Sequence, residues 1–348
     1  MKIRWFLIGI ASAAAVALGI FATSLFTQNS SETANPDSSP SVTREGSTGV
    51  IKVATSTNVW ASVIELIGGD YVEVTAIITD PLQDPHSYEA SARDQLAIAD
   101  AELVIANGGG YDEFMDVLVS AAEGEKVFLK LVEGEHKHTG DEHAHEGEAA
   151  HADEHAHEEE EAHADEHSHG HDHDHGNEHI WYDLELVAAA AELIVEAINE
   201  LRPEAFDEVN QNYDFFLSEL ANLEVRVEAL RERSQGTALI ALEGVGNLLL
   251  EDAGFEDITP ADLADAIEEE REVSAASLDE AKALISGKVA GLLVVNAQML
   301  DQVSDALIET ADQSGVPVVT LSELIVNPDQ NYLDFMAEVL DKLQEAVY

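Results

Sequence analysis

The stretch PEAFDEVNQNYDFFLSELANLEVRVEALRERSQG, Pro203 to Gly236, decides the fold. Phe206, Val209, Tyr213, Phe216, Leu220, Leu223, Val227 and Leu230 follow one another at spacings of 3, 4, 3, 4, 3, 4 and 3. That rhythm keeps apolar side chains on one stripe of an α-helix. Pro203 suits a first helical position, where its missing N–H costs no hydrogen bond, and Gly236 supplies the stop. A helix over 203–233 is about 46 Å long at 1.5 Å rise per residue. The stripe is either one strand of a coiled-coil dimer or a rigid strut lying across two domains. Flanking βα segments on both sides offer cores to receive it, which favours the strut in a monomer.

Those flanks alternate. Short β-rich runs (Val50–Ala54, Val72–Ile78, Leu103–Ala106) are separated by helical stretches (Val59–Ile67, Ala92–Ala99, Tyr111–Ala122). After the long helix the style repeats, with strands expected at Ala238–Leu242, Ala290–Val295 and Val316–Leu321. Tyr332, Phe335, Met336, Val339, Leu340 and Leu343 make the last segment an amphipathic helix. The expected class is α/β: two βα lobes with mostly parallel sheets joined by one long rigid helix. The expected organisation is an N-terminal lobe over 50–202, the linking helix over 203–233 and a C-terminal lobe over 234–348.

The 348 residues carry 70 Asp plus Glu against 16 Lys plus Arg, a formal net charge of −54, with no Cys. Such a charge excludes a nucleic-acid binder, which needs Lys and Arg for phosphate, and disfavours anionic lipid. Without Cys there are no disulfides, thiolate zinc sites or thiol catalysis. Lys2 and Arg4 precede an uncharged apolar run from Trp5 to Phe26, the layout of an export signal. Ala22 and Ser24 sit at −3 and −1 of a candidate cleavage point, but the run is long enough to span a bilayer as an uncleaved anchor. A Cys-anchored lipoprotein is excluded. Residues 27–49, rich in Ser, Thr, Pro and Gly, read as a tether. The protein is expected outside the cytoplasmic membrane, at the cell surface or in the periplasm.

Thirteen of the 15 His lie in one acidic insert over 133–178: His136, His138, His143, His145, His151, His155, His157, His163, His167, His169, His171, His173 and His175. HADEHAHE at 151–158 recurs as HADEHSHG at 163–170. Few apolar residues are present, so the segment cannot build a core and is expected to be a disordered loop. Imidazole and carboxylate are ligands for zinc and neighbouring divalent ions. A tract of this kind can wrap several ions weakly, as an auxiliary site.

The other two His stand in ordered contexts. His86 lies in Asp84-Pro85-His86-Ser87-Tyr88-Glu89 and His179 in His179-Ile180-Trp181-Tyr182-Asp183. With Thr57-Asn58-Val59-Trp60, Gly69-Asp70 and Ala106-Asn107-Gly108-Gly109-Gly110-Tyr111-Asp112, these boxes make the chain resemble the metal-specific solute-binding proteins of zinc and manganese ABC importers, the cluster A-I or ZnuA/TroA-like family. The resemblance runs from about residue 50 to 348. It implies a metal ion bound between two lobes, Zn²⁺ or alternatively Mn²⁺, and delivery to an ABC permease. By position it implies His86 and His179 as the first two ligands and Glu243, in Ala241-Leu242-Glu243-Gly244-Val245-Gly246, as the third, at the start of a helix. Zinc members usually carry His there, manganese members commonly Glu. Glu323 is implied as the fourth ligand, with Asn296 and Asp329 as alternatives, the latter competing with a role as helix N-cap. Glu178 departs from the family, which often has Pro there.

Trp60 and Trp181 fit either an apolar shell around the cleft or plain core. Gly108-Gly109-Gly110 is not a GxGxxG fingerprint, and neither HExxH nor GxSxG occurs, so an enzyme is not expected. The rival readings are a surface adhesin or metal buffer without a permease, and a zinc hydrolase.

Overall fold

The computed structural model describes residues 49–81, 83–132, 177–268 and 271–347. The export segment, the tether up to residue 48 and all thirteen insert histidines lie outside them. Among the described residues no helix is long and apolar enough to cross a membrane.

In the first half, β1 (Ile51–Thr57), α1 (Asn58–Gly68), β2 (Val72–Ile78), α2 (Ala92–Asp100), β3 (Leu103–Gly108), α3 (Phe114–Ala121) and β4 (Val127–Val132) alternate. The strands form one sheet in the order β2-β1-β3-β4, all parallel. β1 and β3 are buried along nearly their whole length, whereas β2 and β4 are half-buried. Central parallel strands covered by helices on both faces need such continuous apolar runs, and edge strands do not. β4 escapes the sequence reading: it is a half-polar edge, VFLKLV, running straight into the charged insert.

α4 (Leu184–Leu201) precedes a 3-10 turn at Pro203–Ala205 and the long α5 (Phe206–Ser234). The expected helix therefore exists, but its first three residues wind more tightly and the α-helix proper spans 29 residues. Val209, Phe216, Leu220, Leu223, Val227 and Leu230 of the stripe are buried, Tyr213 is half-buried and Phe206 is 55% exposed. The stripe is consumed within its own chain, so the strut reading holds and those positions leave no coiled-coil seam. α5 packs on α1 and α4 of the first half.

The second half repeats the alternation with β5 (Ala238–Ala241), α6 (Asn247–Asp252), β6 (Glu256–Asp257), α7 (Ala261–Glu268), α8 (Ala275–Ser286), β7 (Leu292–Asn296), α9 (Gln302–Ser314), β8 (Val318–Leu321) and α10 (Tyr332–Ala346). Its sheet has the equivalent order, β6-β5-β7-β8, again parallel. α6 and α10 also pack on α5. One apolar core then runs unbroken from Ile51 through the α5 stripe to Leu343. The chain end crosses back to the first half: Tyr332 donates its N–H to Ser62 Oγ at 2.8 Å and its hydroxyl to the Trp181 carbonyl at 2.7 Å. All six apolar residues expected on the last helix's inner face are buried.

Candidate metal centre between the two sheets

In open parallel α/β sheets, ligands collect beyond the carboxyl ends of the strands. Three of the four site residues expected in the second half sit there. Glu243 follows β5, Asn296 closes β7 and Glu323 follows β8. From the first half, His86 lies on the loop after β2, and His179 opens a 3-10 turn leading into α4, which Asp183 caps by accepting from the N–H groups of Glu185 and Leu186. The structure brings His86, His179, Glu243 and Glu323 together: each offers one donor atom, and all four atoms lie within 4.8 Å of one another. His86, His179 and Glu243 line a cleft of about 300 Å³ with Asp84, Asn177 and Glu178, while Glu323 is fully buried.

His179 is 3% exposed. Asn177 Oδ1 accepts from its backbone N–H at 2.9 Å and lies 2.9 Å from its ring Nδ1, while Asn177 Nδ2 donates to the Gly244 carbonyl at 2.8 Å. One backbone donor and one backbone acceptor fix the Asn177 amide, so its oxygen faces the imidazole and Nδ1 carries the proton. Nε2 then holds a bare lone pair, and this buried atom has no hydrogen-bond partner. Burial, reinforced by the neighbouring His86, pushes the His179 pKa down to about 3. The ring therefore stays neutral, the form that binds metal. Trp181 packs against it edge-on at 5.2 Å. Trp60 stands one step further back, its Nε1–H donating to Asn107 Oδ1 at 3.0 Å.

The carboxylates move the other way. Burial and then the charge of Glu323 push Glu243 up to about 7, and burial also raises Glu323, which is fully enclosed. Tyr111 donates its hydroxyl to Glu323 Oε2 at 3.0 Å. Asn296 Nδ2 donates to Glu323 Oε1 at 2.7 Å and also to Glu243 Oε2. Asn296 thus lies beside the donor cluster as the amide that holds both carboxylates, and its own oxygen accepts from the Gln298 N–H at 3.0 Å. Asp329 lies outside the cluster, exposed, and the N-cap of α10 is Asn331.

Glu243 does not begin a helix. It occupies the turn before α6 with φ 62°, one of two non-glycine residues with positive φ among those described. An L-residue there costs on the order of 1–2 kcal/mol, and such outliers gather at functional sites. Gly108 shapes the opposite wall: at φ 83° a Cβ would stand 2.0 Å from the Val132 carbonyl oxygen. Asp112 closes this turn by accepting from the N–H groups of Asn107 and Gly108 at 2.6 and 2.9 Å.

Two imidazoles and two carboxylates are a donor set suited to a divalent transition metal. A tetrahedral ion with bonds of 2.0–2.2 Å needs donors about 3.4 Å apart. His86 Nε2 and Glu323 Oε2 stand 3.8 Å apart, and all four donors lie within 4.8 Å of one another, so the shell closes by side-chain shifts of about 1 Å. Sequence reasoning missed Asn177 and Gln298. The latter donates to the Pro81 carbonyl at 2.7 Å and accepts from the Glu323 N–H at 3.1 Å, tying the His86 loop to the Glu323 loop.

Solved structures share this fold. The periplasmic zinc binding protein TroA from Treponema pallidum superposes with a TM-score of 0.65 at 17% identity, covering 86% of this chain and 99% of its own. A crystal structure of ZnuA gives 0.65 at 18%, covering 86% and 100%. A Mn-bound periplasmic metal binding protein from Candidatus Liberibacter asiaticus gives 0.61 at 17%, covering 86% and 100%. No curated protein matches the chain in sequence. Residues 53–346 match the family described as zinc-uptake complex component A, periplasmic, and the chain belongs to that family of metal-binding transport proteins, which are not enzymes.

Proposed function

We propose that the protein captures Zn²⁺, with Mn²⁺ as the alternative cargo, between its two lobes and hands it to an ABC permease. His86 and His179 are the ligands from an N-terminal lobe over 50–202, and Glu243 and Glu323 those from a C-terminal lobe over 234–348, with the helix over 203–233 as strut. The observation that carries this reading is the buried, partnerless Nε2 of His179 facing three further donors. Nitrogen donors suit Zn²⁺, and the two carboxylates shift the balance toward Mn²⁺. The N-terminal segment exports the chain, cleaved or kept as an anchor, and the insert histidines raise the local metal concentration or sense supply.

Calorimetric titration of Zn²⁺ and Mn²⁺ into the full chain, a variant lacking residues 136–175 and His86→Ala tests the division of labour. The loop deletion is expected to keep one tight site and His86→Ala to lose it. Loss of all tight binding on loop deletion overturns the cleft assignment. A surface adhesin or buffer would bind metal equally well, so delivery is tested separately, by metal-dependent association with the purified permease.

A further inference from the structure

We infer that Glu178 is a positioning residue for His86, holding its imidazole so that Nε2 faces the metal. This rests on the ligand assignment proposed above.

The two histidines are supported differently. His179 has its Nδ1 held by the Asn177 amide at 2.9 Å. His86 sits on an exposed loop, its backbone N–H accepted by Asp84 Oδ1 at 2.9 Å and its ring edge-on to Tyr111 at 5.2 Å. Each of its ring nitrogens faces a carboxylate: Nδ1 lies 3.7 Å from Glu178 Oε1, and Nε2 lies 3.8 Å from Glu323 Oε2. Glu178 stands on the Nδ1 side of His86 as Asn177 does for His179, but at 3.7 Å against 2.9 Å it is beyond hydrogen-bond length. The His86 ring therefore closes on Glu178 by less than about 1 Å for Nδ1–H to be accepted.

The backbone of Glu178 is pinned. Its carbonyl accepts from Asn107 Nδ2 at 2.9 Å and from the Ile180 N–H at 2.8 Å. Its side chain lies alongside Gly109 and Gly110, where an added Cβ would stand in ordinary contact with Glu178 Cβ at 3.8 Å and Oε2 at 3.7 Å. Its carboxylate stands outside the four-donor cluster, on the Nδ1 side of the ring. A carboxylate that accepts Nδ1–H fixes the tautomer, orients the ring and strengthens Nε2 as a donor. Losing such a partner typically weakens metal binding about 10–100-fold. Pro at this position has no carboxylate to give.

The test uses the full chain with one equivalent of Co²⁺ for absorption spectra and chelator competition for Zn²⁺ affinity. Glu178→Ala, Glu178→Gln, the exposed control Glu89→Gln and His86→Ala are compared. Glu178→Ala is expected to weaken Zn²⁺ about 10–100-fold, with Co²⁺ band positions and intensity unchanged because the donor set is intact. Glu178→Gln, whose amide oxygen still accepts Nδ1–H, should recover part of the loss, and Glu89→Gln should change nothing. Affinity within twofold in Glu178→Ala overturns the proposal, as does a changed Co²⁺ spectrum, which would make Glu178 a ligand itself. If His86→Ala retains tight binding, the ligand assignment has failed, and that result is separate from any result at Glu178.

Discussion

The two sheets share one strand order, yet they bring opposite chemistry to the cleft. The first half contributes imidazoles, and burial drives His179 down to about 3. The second contributes carboxylates, and burial drives Glu243 up to about 7 and Glu323 upward as well. Both displacements favour the uncharged form, as desolvation requires. They differ in what a cation does next. A neutral imidazole is ready to bind, whereas two neighbouring carboxylates repel each other until a positive ion lies between them. The second half also holds Glu243 in the left-handed region. In the first half His179 is pre-formed, whereas the second half sets two carboxylates together whose repulsion an ion would relieve.

The largest expected effect comes from removing a pre-formed donor. His179→Ala should lower Zn²⁺ affinity by at least about 100-fold, because the enclosed Nε2 has no substitute nearby; competition titration reads this directly, and a loss under tenfold would break the comparison.

Acidity should separate the halves next. Binding requires Glu243 ionised, so each ion bound below pH 7 displaces a proton, and affinity should fall steadily from about pH 7 downward. His179, at about 3, adds no competition in that range. Calorimetry in buffers of different ionisation enthalpy counts the protons released, and release that begins only below pH 5 would contradict the raised Glu243.

Stability sharpens the point without metal. A carboxyl whose pKa rises on folding makes the native state bind more protons, so between about 4.5 and 7 its contribution to stability declines as pH rises. Glu243→Gln, which can still accept from Asn296, should therefore raise the apo Tm above pH 7 and leave it unchanged near pH 4. The gain is on the order of 1–2 kcal/mol, below the full value of the shift because the residue is only partly enclosed. Glu243→Gly should add about 1 kcal/mol by releasing the backbone. A destabilised Glu243→Gln at pH 8 would show that no such repulsion acts in the second half. The smallest change is in selectivity: Glu243→His should move preference toward Zn²⁺ over Mn²⁺ by severalfold, and unchanged selectivity would place Glu243 outside the shell.

Much of this was legible in the chain itself. The 3-4 rhythm of Val209 to Leu230 set out a long helix, and the βα segments on either side favoured a strut over a coiled-coil strand because they offer cores to cover the stripe. The boxes around His86 and His179 and the strand-end positions of Glu243 and Glu323 marked the four residues that the fold brings together. What stayed hidden depends on tertiary amide contacts. Asn177 and Gln298 carry no pattern of their own, and they matter because Gly244 and Pro81 arrive beside them from the opposite half. Asn296 was visible at a strand end, but only folding shows its amide reaching two carboxylates. Asp329 was misread because two acceptors, Asp329 and Asn331, stand close to the helix start, and backbone geometry selects the second. β4 was missed because an edge strand with Lys130 at its centre lacks the continuous apolar run of β3.

The central claim is that one ion joins two imidazoles from one half to two carboxylates from the other. Anomalous diffraction at the zinc edge from crystals grown with one equivalent of Zn²⁺ tests it most directly. The account predicts a single strong peak about 2.0–2.2 Å from His86 Nε2, His179 Nε2 and one oxygen each of Glu243 and Glu323. A peak ligated from only one half, or one that leaves His179 Nε2 unbound, would contradict it.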